Sequence, residues 1–138
     1  MDCPFCQIQQ DKTTILNNGN HVRVILSNPR LMKGHLLITP KRHVEKLSEL
    51  NQEEITELIN KTIEFQEKIL NTFAKGCDIR QNYRPFQKQN NLKVNHLHIH
   101  LQPRELEDEL YKKCQITEGK IFTVLTEDEK REIFALFS

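Results

Sequence analysis

Between Val94 and Leu101 the chain reads Val-Asn-His-Leu-His-Ile-His-Leu, which places three of its six histidines within five residues. Strict alternation is the mark of a strand, because side chains at i, i+2 and i+4 point to one face. A strand over 94–101 would line one face with His96, His98 and His100 and bury Leu97, Ile99 and Leu101 behind it. At about 3.3 Å per residue the outer two histidines lie roughly 13 Å apart, too far for one ion that sits about 2 Å from each nitrogen. The three imidazoles must therefore divide their roles. A neutral imidazole serves as metal ligand, nucleophile or proton donor near pH 7, so a row of three brings all these roles to one small substrate.

The chain that must supply a core behind this strand has 138 residues, enough for one domain without disulfide staples. Upstream, Asn18-Gly19-Asn20 is turn chemistry leading into a strand over 22–26, and the two make a hairpin edge. A second strand follows Gly34 over 35–39 and is closed by Pro40, with Lys41-Arg42-His43 just past its end, where functional residues concentrate. The long helix spans 47–74, with Asn51 and Glu54 in capping-box spacing and apolar residues at Ile55, Leu58, Ile59, Ile63, Ile69, Leu70 and Phe73. It is expected to cover one face of the sheet, and Gly76 to stop it. A third strand is expected over 77–83, then a polar loop over 84–92 that delivers the chain to the histidine strand. Pro103 is expected to end that strand, with Arg104 placed to meet a phosphate. The stretch 105–138 is more charged; it carries apolar residues over 121–125 and a capping box at Thr126 and Glu129 that opens a last helix. It is expected to be an accessory of the same domain, not a second one.

Composition removes several function classes. Twenty Lys and Arg against 19 Asp and Glu give a net charge of +1 with no basic stripe, so nucleic acid is not the expected partner. No apolar run approaches the roughly 18 residues of a membrane span, and Met1-Asp2-Cys3-Pro4 has neither basic nor hydrophobic leader character, so the expected compartment is the cytoplasm. Four cysteines there point to metal or free thiols. Cys3-Pro4-Phe5-Cys6 has the two-residue gap that turns both thiolates toward one ion, which makes it half of a site. Cys77 and Cys114 read as ordinary thiols.

Together, Cys3-x-x-Cys6, Gly34-His35-Leu36-Leu37-Ile38-Thr39-Pro40-Lys41-Arg42-His43 and His96-x-His98-x-His100-Leu101-Gln102-Pro103-Arg104 resemble the histidine-triad family of nucleotide hydrolases and transferases. The resemblance covers residues 1–104, with 105–138 as an extension. It implies an α+β fold, an antiparallel sheet with one long packed helix, a homodimer, and hydrolysis or transfer at the α-phosphate of a nucleotide conjugate. It also implies a structural zinc held by Cys3, Cys6, His43 and His96; four protein ligands would leave no open position for chemistry at the metal. His98 is then the nucleophile that forms a nucleotidyl-histidine, with His100 and His35 bonding phosphate oxygens or the leaving group.

The chain departs from the family pattern in three places. Gln102 takes a position that is usually apolar. Ser27, with Asn28 beside it, stands where family members often hold the ribose with an acid or amide. Asn91-Leu92-Lys93 replaces the usual Gly-Gln-Ser or Gly-Gln-Thr, so Lys93 either binds a longer polyphosphate or acidic leaving group or points to solvent. Asn82, which the resemblance places near the phosphates, is present, flanked by Gln81 and Arg84. The alternative to an enzyme is a nucleotide-binding adaptor of the same fold with little activity. A third class is a metal-binding module with no nucleotide site.

Overall fold

Asn18-Gly19-Asn20 turns the chain between β1 (Ile15–Asn18) and β2 (Val22–Leu26), and the Gly19 amide closes the turn on the Val22 carbonyl at 2.9 Å. β3 (Leu36–Pro40) pairs antiparallel with β2 along its whole length. β5 (Ile99–Arg104) pairs with β3, and β4 (Gly76–Arg80) closes the far edge, giving the order β1-β2-β3-β5-β4 with every pair antiparallel. These elements come from a computed structural model that describes residues 3–90 and 92–138. It divides into two units, Met1–Glu105 and Leu106–Ser138.

The long helix, α1 (Gln52–Thr72), starts where the capping box placed it: Asn51 Oδ1 accepts from the Glu54 amide and the Glu54 carboxylate accepts from the Asn51 amide, both at 2.9 Å. The expected first turn is instead a separate 3₁₀ turn, Leu47–Glu49. α1 is capped by Phe73, whose amide bonds the Ile69 carbonyl; Gly76 is the first residue of β4, not the helix stop. Glu54, Leu58, Thr62, Phe65 and Ile69, spaced by three and four, face inward. Leu58, Phe65 and Ile69 pack on Val22, Val24, Leu36, Ile38, Ile99 and Leu101, so alternate residues of three strands build the main core on one face of the sheet. The opposite face carries Ile25 and Leu37 under Phe5 of the N-terminal segment, and farther along it carries the histidines.

The histidine segment differs from its expected form. Only 99–104 is ladder; His96, Leu97 and His98 precede it. Pro40 is the cause. In register it would face Leu97, but proline has no N–H to give. The Leu97 amide bonds the Val44 carbonyl at 2.7 Å instead, and the Leu97 carbonyl accepts from the Thr39 hydroxyl at 2.9 Å. Leu97 remains fully buried in the core, so the expected alternation survives without the strand. Pro103 does not end β5: it pairs with Cys77 where β3 has already finished opposite Leu101, so one side of the ladder is open there. The third strand ends at Arg80, three residues earlier than expected.

Residues 106–138 contain a π-helical turn (Tyr111–Gln115) running into a short helix, α2 (Ile116–Gly119), and then α3 (Glu127–Phe137). The Thr126–Glu129 capping box is present at the start of α3. The apolar run 121–125 forms no regular element.

Candidate functional site

The knuckle Cys3-Pro4-Phe5-Cys6 closes on itself through the Cys6 and Gln7 amides, which bond the Cys3 carbonyl. It presents both sulfurs to the segment that follows β3, which carries His43, and to the segment that precedes β5, which carries His96. Cys3 Sγ lies 3.2 Å and Cys6 Sγ 3.4 Å from His96 Nδ1, and Cys6 Sγ lies 3.4 Å from His43 Nδ1. All four ligand atoms fall within 4.8 Å of one another. Zinc–sulfur and zinc–nitrogen bonds near 2.3 and 2.0 Å set a tetrahedron's S···N edges at about 3.5 Å, so this Cys₂His₂ set fits zinc with little adjustment. His96 is already in the ligating tautomer. Its Nε2 is 2.7 Å from the Pro40 carbonyl and must donate to it, which leaves the Nδ1 lone pair facing the sulfurs.

His43 is positioned by its neighbour. The Arg42 guanidinium forks onto Glu54, with Nε to Oε2 at 3.0 Å and Nη2 to Oε1 at 2.8 Å, and also reaches the Glu49 carbonyl. The guanidinium holds the Glu54 carboxyl below its usual range. One buried carboxylate therefore caps α1 and ties down the segment that carries His43.

The remaining histidines form a relay whose protons can be assigned from their fixed ends. The Leu31 amide donates to His35 Nδ1 at 3.1 Å, so in neutral His35 the proton sits on Nε2. His35 Nε2 lies 2.9 Å from His100 Nδ1 and donates to it, which leaves His100 with its proton on Nε2, free to donate outward. His98 has the opposite tautomer: its Nδ1 is 2.7 Å from the His96 carbonyl and donates there, so Nε2 carries a lone pair that bonds no described residue. A nucleophilic nitrogen and an outward N–H thus stand side by side, with ring centroids 4.9 Å apart.

Burial holds these rings neutral. It pushes the imidazolium of His35 down to about 4 and of His100 to about 3, and lowers His98 as well; for His35 the Arg80 charge adds to burial, and for His100 the neighbouring histidines and Arg80 do. Phe5 stands edge-on to both His96 and His98, at 5.7 and 5.3 Å between centroids, and so walls both rings on one side. Its position between the two cysteines was the only sequence signal for that role.

The sequence candidates for substrate contacts fare unequally. Ser27 and Asn28 lie in the β2–β3 connection that ends at His35; the Ser27 amide bonds the His35 carbonyl and its hydroxyl donates to the Pro29 carbonyl at 2.8 Å. Asn82 lies two residues beyond β4, its carbonyl accepting from Gln81 Nε2. Lys93 is not aimed at a phosphate: its ammonium sits on the Arg84 and Gln87 carbonyls, and Asn90 Oδ1 accepts from the Leu92 and Lys93 amides, so this part of the segment staples the 84–93 loop. Asn91 lies outside the described residues. Arg104 is drawn to Asp78, with Nη1 to Oδ2 at 2.6 Å across β4 and β5. An exposed carboxylate partner beside it accounts for that placement without a phosphate. Gln102, opposite Asp78 of β4, is buried, its Nε2 without a protein partner among the described residues.

The model of the HIT domain matches residues 8–107. The chain belongs to the HIT family. A HIT-like protein of Methanocaldococcus jannaschii is 33% identical over 108 residues, 74% of this chain and 78% of that protein. The asymmetrical bis(5'-nucleosyl)-tetraphosphatase of Schizosaccharomyces pombe is 28% identical over 109 residues, 72% of this chain and 57% of that protein. A zinc-bound histidine triad family protein from Mycobacterium smegmatis shares the fold with a TM-score of 0.67 at 25% identity, over 80% of each chain. Within the HIT segment the matched span holds His35, His43 and the whole triad; Cys3 and Cys6 precede it, so their part in the site rests on the sulfur–nitrogen distances.

Proposed function

We propose that this chain is a nucleotidyl hydrolase or transferase that acts at the α-phosphate of a nucleotide conjugate through a nucleotidyl-histidine on His98. The observation that carries the reading is the pair of opposite tautomers. His98 Nε2 offers a lone pair while His100 Nε2–H, held by the relay from Leu31 through His35, offers a proton donor next to it. Attack by Nε2 forms the N–P bond and breaks the bond to the leaving group, which departs with its electron pair. His98 keeps its Nδ1 proton on the His96 carbonyl, so the positive charge that develops on the ring is stabilised by that oxygen. His100 donates to the oxygen on which negative charge grows. Water, or a second acceptor, then takes the nucleotidyl group and returns His98 to its starting form.

The same reading assigns Cys3, Cys6, His43 and His96 a structural zinc. When bound it would fix the two ends of the site, since His96 is a ligand through its ring and orients His98 through its carbonyl. The relative from Schizosaccharomyces pombe supports a dinucleoside polyphosphate as substrate, and a nucleoside phosphoramidate uses the same displacement. Incubation with a labelled adenylate donor, followed by mapping of the modified residue, is expected to find His98. An adduct on His100 or His35 would redraw the roles, and absence of both adduct and turnover would leave a nucleotide-binding adaptor.

Assembly as a homodimer belongs to this reading too. The sequence puts Ile55, Ile59 and Ile63 in the apolar pattern of the helix that covers the sheet, but they lie off the buried face and form a second stripe, spaced by four and 39, 47 and 55% exposed. β4 beside it is an edge strand with Ile79 also exposed. An unpaired edge next to an apolar stripe suits a second copy of the same surface. Light scattering should give twice the chain mass, reduced to one chain by Ile59→Glu; a wild-type monomer at micromolar concentration would refute it.

A further inference from the structure

Arg80 is the last residue of β4 and faces His100 in the β4–β5 register. Residues directly opposite in an antiparallel pair share a face, with Cβ atoms about 5 Å apart, so the arginine stem leaves the sheet beside the His100 ring. Its side chain is exposed and makes no hydrogen bond or ion pair with any described residue. The acid two residues back on the same face, Asp78, is occupied by Arg104. The guanidinium is therefore a free charge, and its field acts on both His35 and His100.

The relay histidines are neutral near pH 7, so none supplies a permanent positive charge, whereas arginine is always charged and matches phosphate oxygens with its planar fork. His96 and the metal ligands lie at the other end of the histidine row, and His100 lies on the side of His98 toward β4. A leaving group assisted by His100 thus departs toward Arg80.

We propose that Arg80 binds the phosphates of the leaving group, so that the site selects nucleotide conjugates whose leaving group is itself a phosphate chain over those that release an amine. This rests on the displacement at His98 proposed above. The test compares wild type, Arg80→Gln and Arg80→Lys on a dinucleoside tetraphosphate and an adenosine phosphoramidate, and measures binding of inorganic tripolyphosphate by calorimetry.

Loss of one charge-assisted contact weakens binding about 10- to 100-fold. Arg80→Gln is expected to lower the ratio of kcat/KM for tetraphosphate over phosphoramidate by at least about tenfold and to weaken tripolyphosphate by a similar factor. Arg80→Lys should recover part of both. An unchanged selectivity ratio, an equal fall on both substrates, or tripolyphosphate binding that is undetectable in wild type or indifferent to Arg80 would overturn the proposal. If neither substrate turns over while tripolyphosphate binding still depends on Arg80, the nucleotidyl reading fails and the phosphate contact stands.

Discussion

Acid should loosen this fold through His35, and the size of the effect follows from its surroundings. His35 is 4% exposed, accepts from Leu31 on one nitrogen and donates to His100 through the other, so a second ring proton would have no acceptor. Burial holds its imidazolium down to about 4, against an ordinary value near 6.5. Above pH 6.5 both folded and unfolded chains carry His35 neutral and the ring costs nothing. As pH falls from 6.5 toward 4 the unfolded chain binds a proton that the folded chain refuses, so stability declines, and the loss is complete once the folded ring protonates as well. At pH 5 the loss relative to pH 7 is about 2 kcal/mol from this ring alone. Urea denaturation of wild type and His35→Gln at pH 7, 6 and 5 isolates the term, because the glutamine amide can still donate to His100 but does not titrate. A metal held by the Cys₂His₂ set would be released on acidification in both proteins and cancel in the difference. Wild type should lose about 2 kcal/mol more than the variant between pH 7 and 5. Equal losses would mean that burial does not hold His35 neutral, and the proton assignment of the relay would fall with it.

Purified protein should contain about one zinc per chain, and Cys3→Ser with Cys6→Ser should remove it and lower the melting temperature; unchanged metal content and melting would count against the site. His98→Ala should abolish adduct and turnover while leaving zinc and melting intact, whereas His96→Ala should lose metal and stability together, so identical phenotypes would refute the division of roles. Gly34→Ala should cost about 2 kcal/mol in urea denaturation, because the residue has φ +84° and an added Cβ would stand 2.5 Å from the Phe73 ring. The Phe73 ring is half exposed and can swing aside, which limits the cost; a loss under about 0.5 kcal/mol would mean that the backbone relaxes freely there.

The sequence pattern disclosed those features that depend on local order. The alternation at 96–101 showed which residues are core and which face the site, and Asn51 with Glu54 marked the start of α1. The proline effects were not legible, because they depend on partners: Pro40 breaks the ladder opposite Leu97, while Pro103 sits where β3 no longer reaches. The same holds for charge. Arg104, Lys93 and Arg80 are equivalent cations in sequence, yet Asp78 takes the first, two loop carbonyls take the second, and the third is left beside His100 because of the β4–β5 register. Tautomers lie further from sequence still, since each depends on a carbonyl or amide brought from elsewhere in the chain.

The two faces of β5 also limit how this chain can change length. Ile99 and Leu101 belong to the core, and His100 and Gln102 to the opposite face, with nothing between them but the period of the strand. A single inserted or deleted residue between His98 and Leu101 would exchange the two sets, sending a leucine to the substrate and an imidazole toward α1. Lineages carrying such an indel would lose stability and chemistry in one step, with no single substitution able to restore either. The described residues of the connection over 84–93 have no such constraint, because they hold one another: the Lys93 ammonium bonds the Arg84 and Gln87 carbonyls, and Asn90 Oδ1 accepts from the Leu92 and Lys93 amides. Insertions, deletions and engineered tags should therefore be tolerated there and absent from the histidine row, a pattern that can be read in a deletion scan without any assay of catalysis.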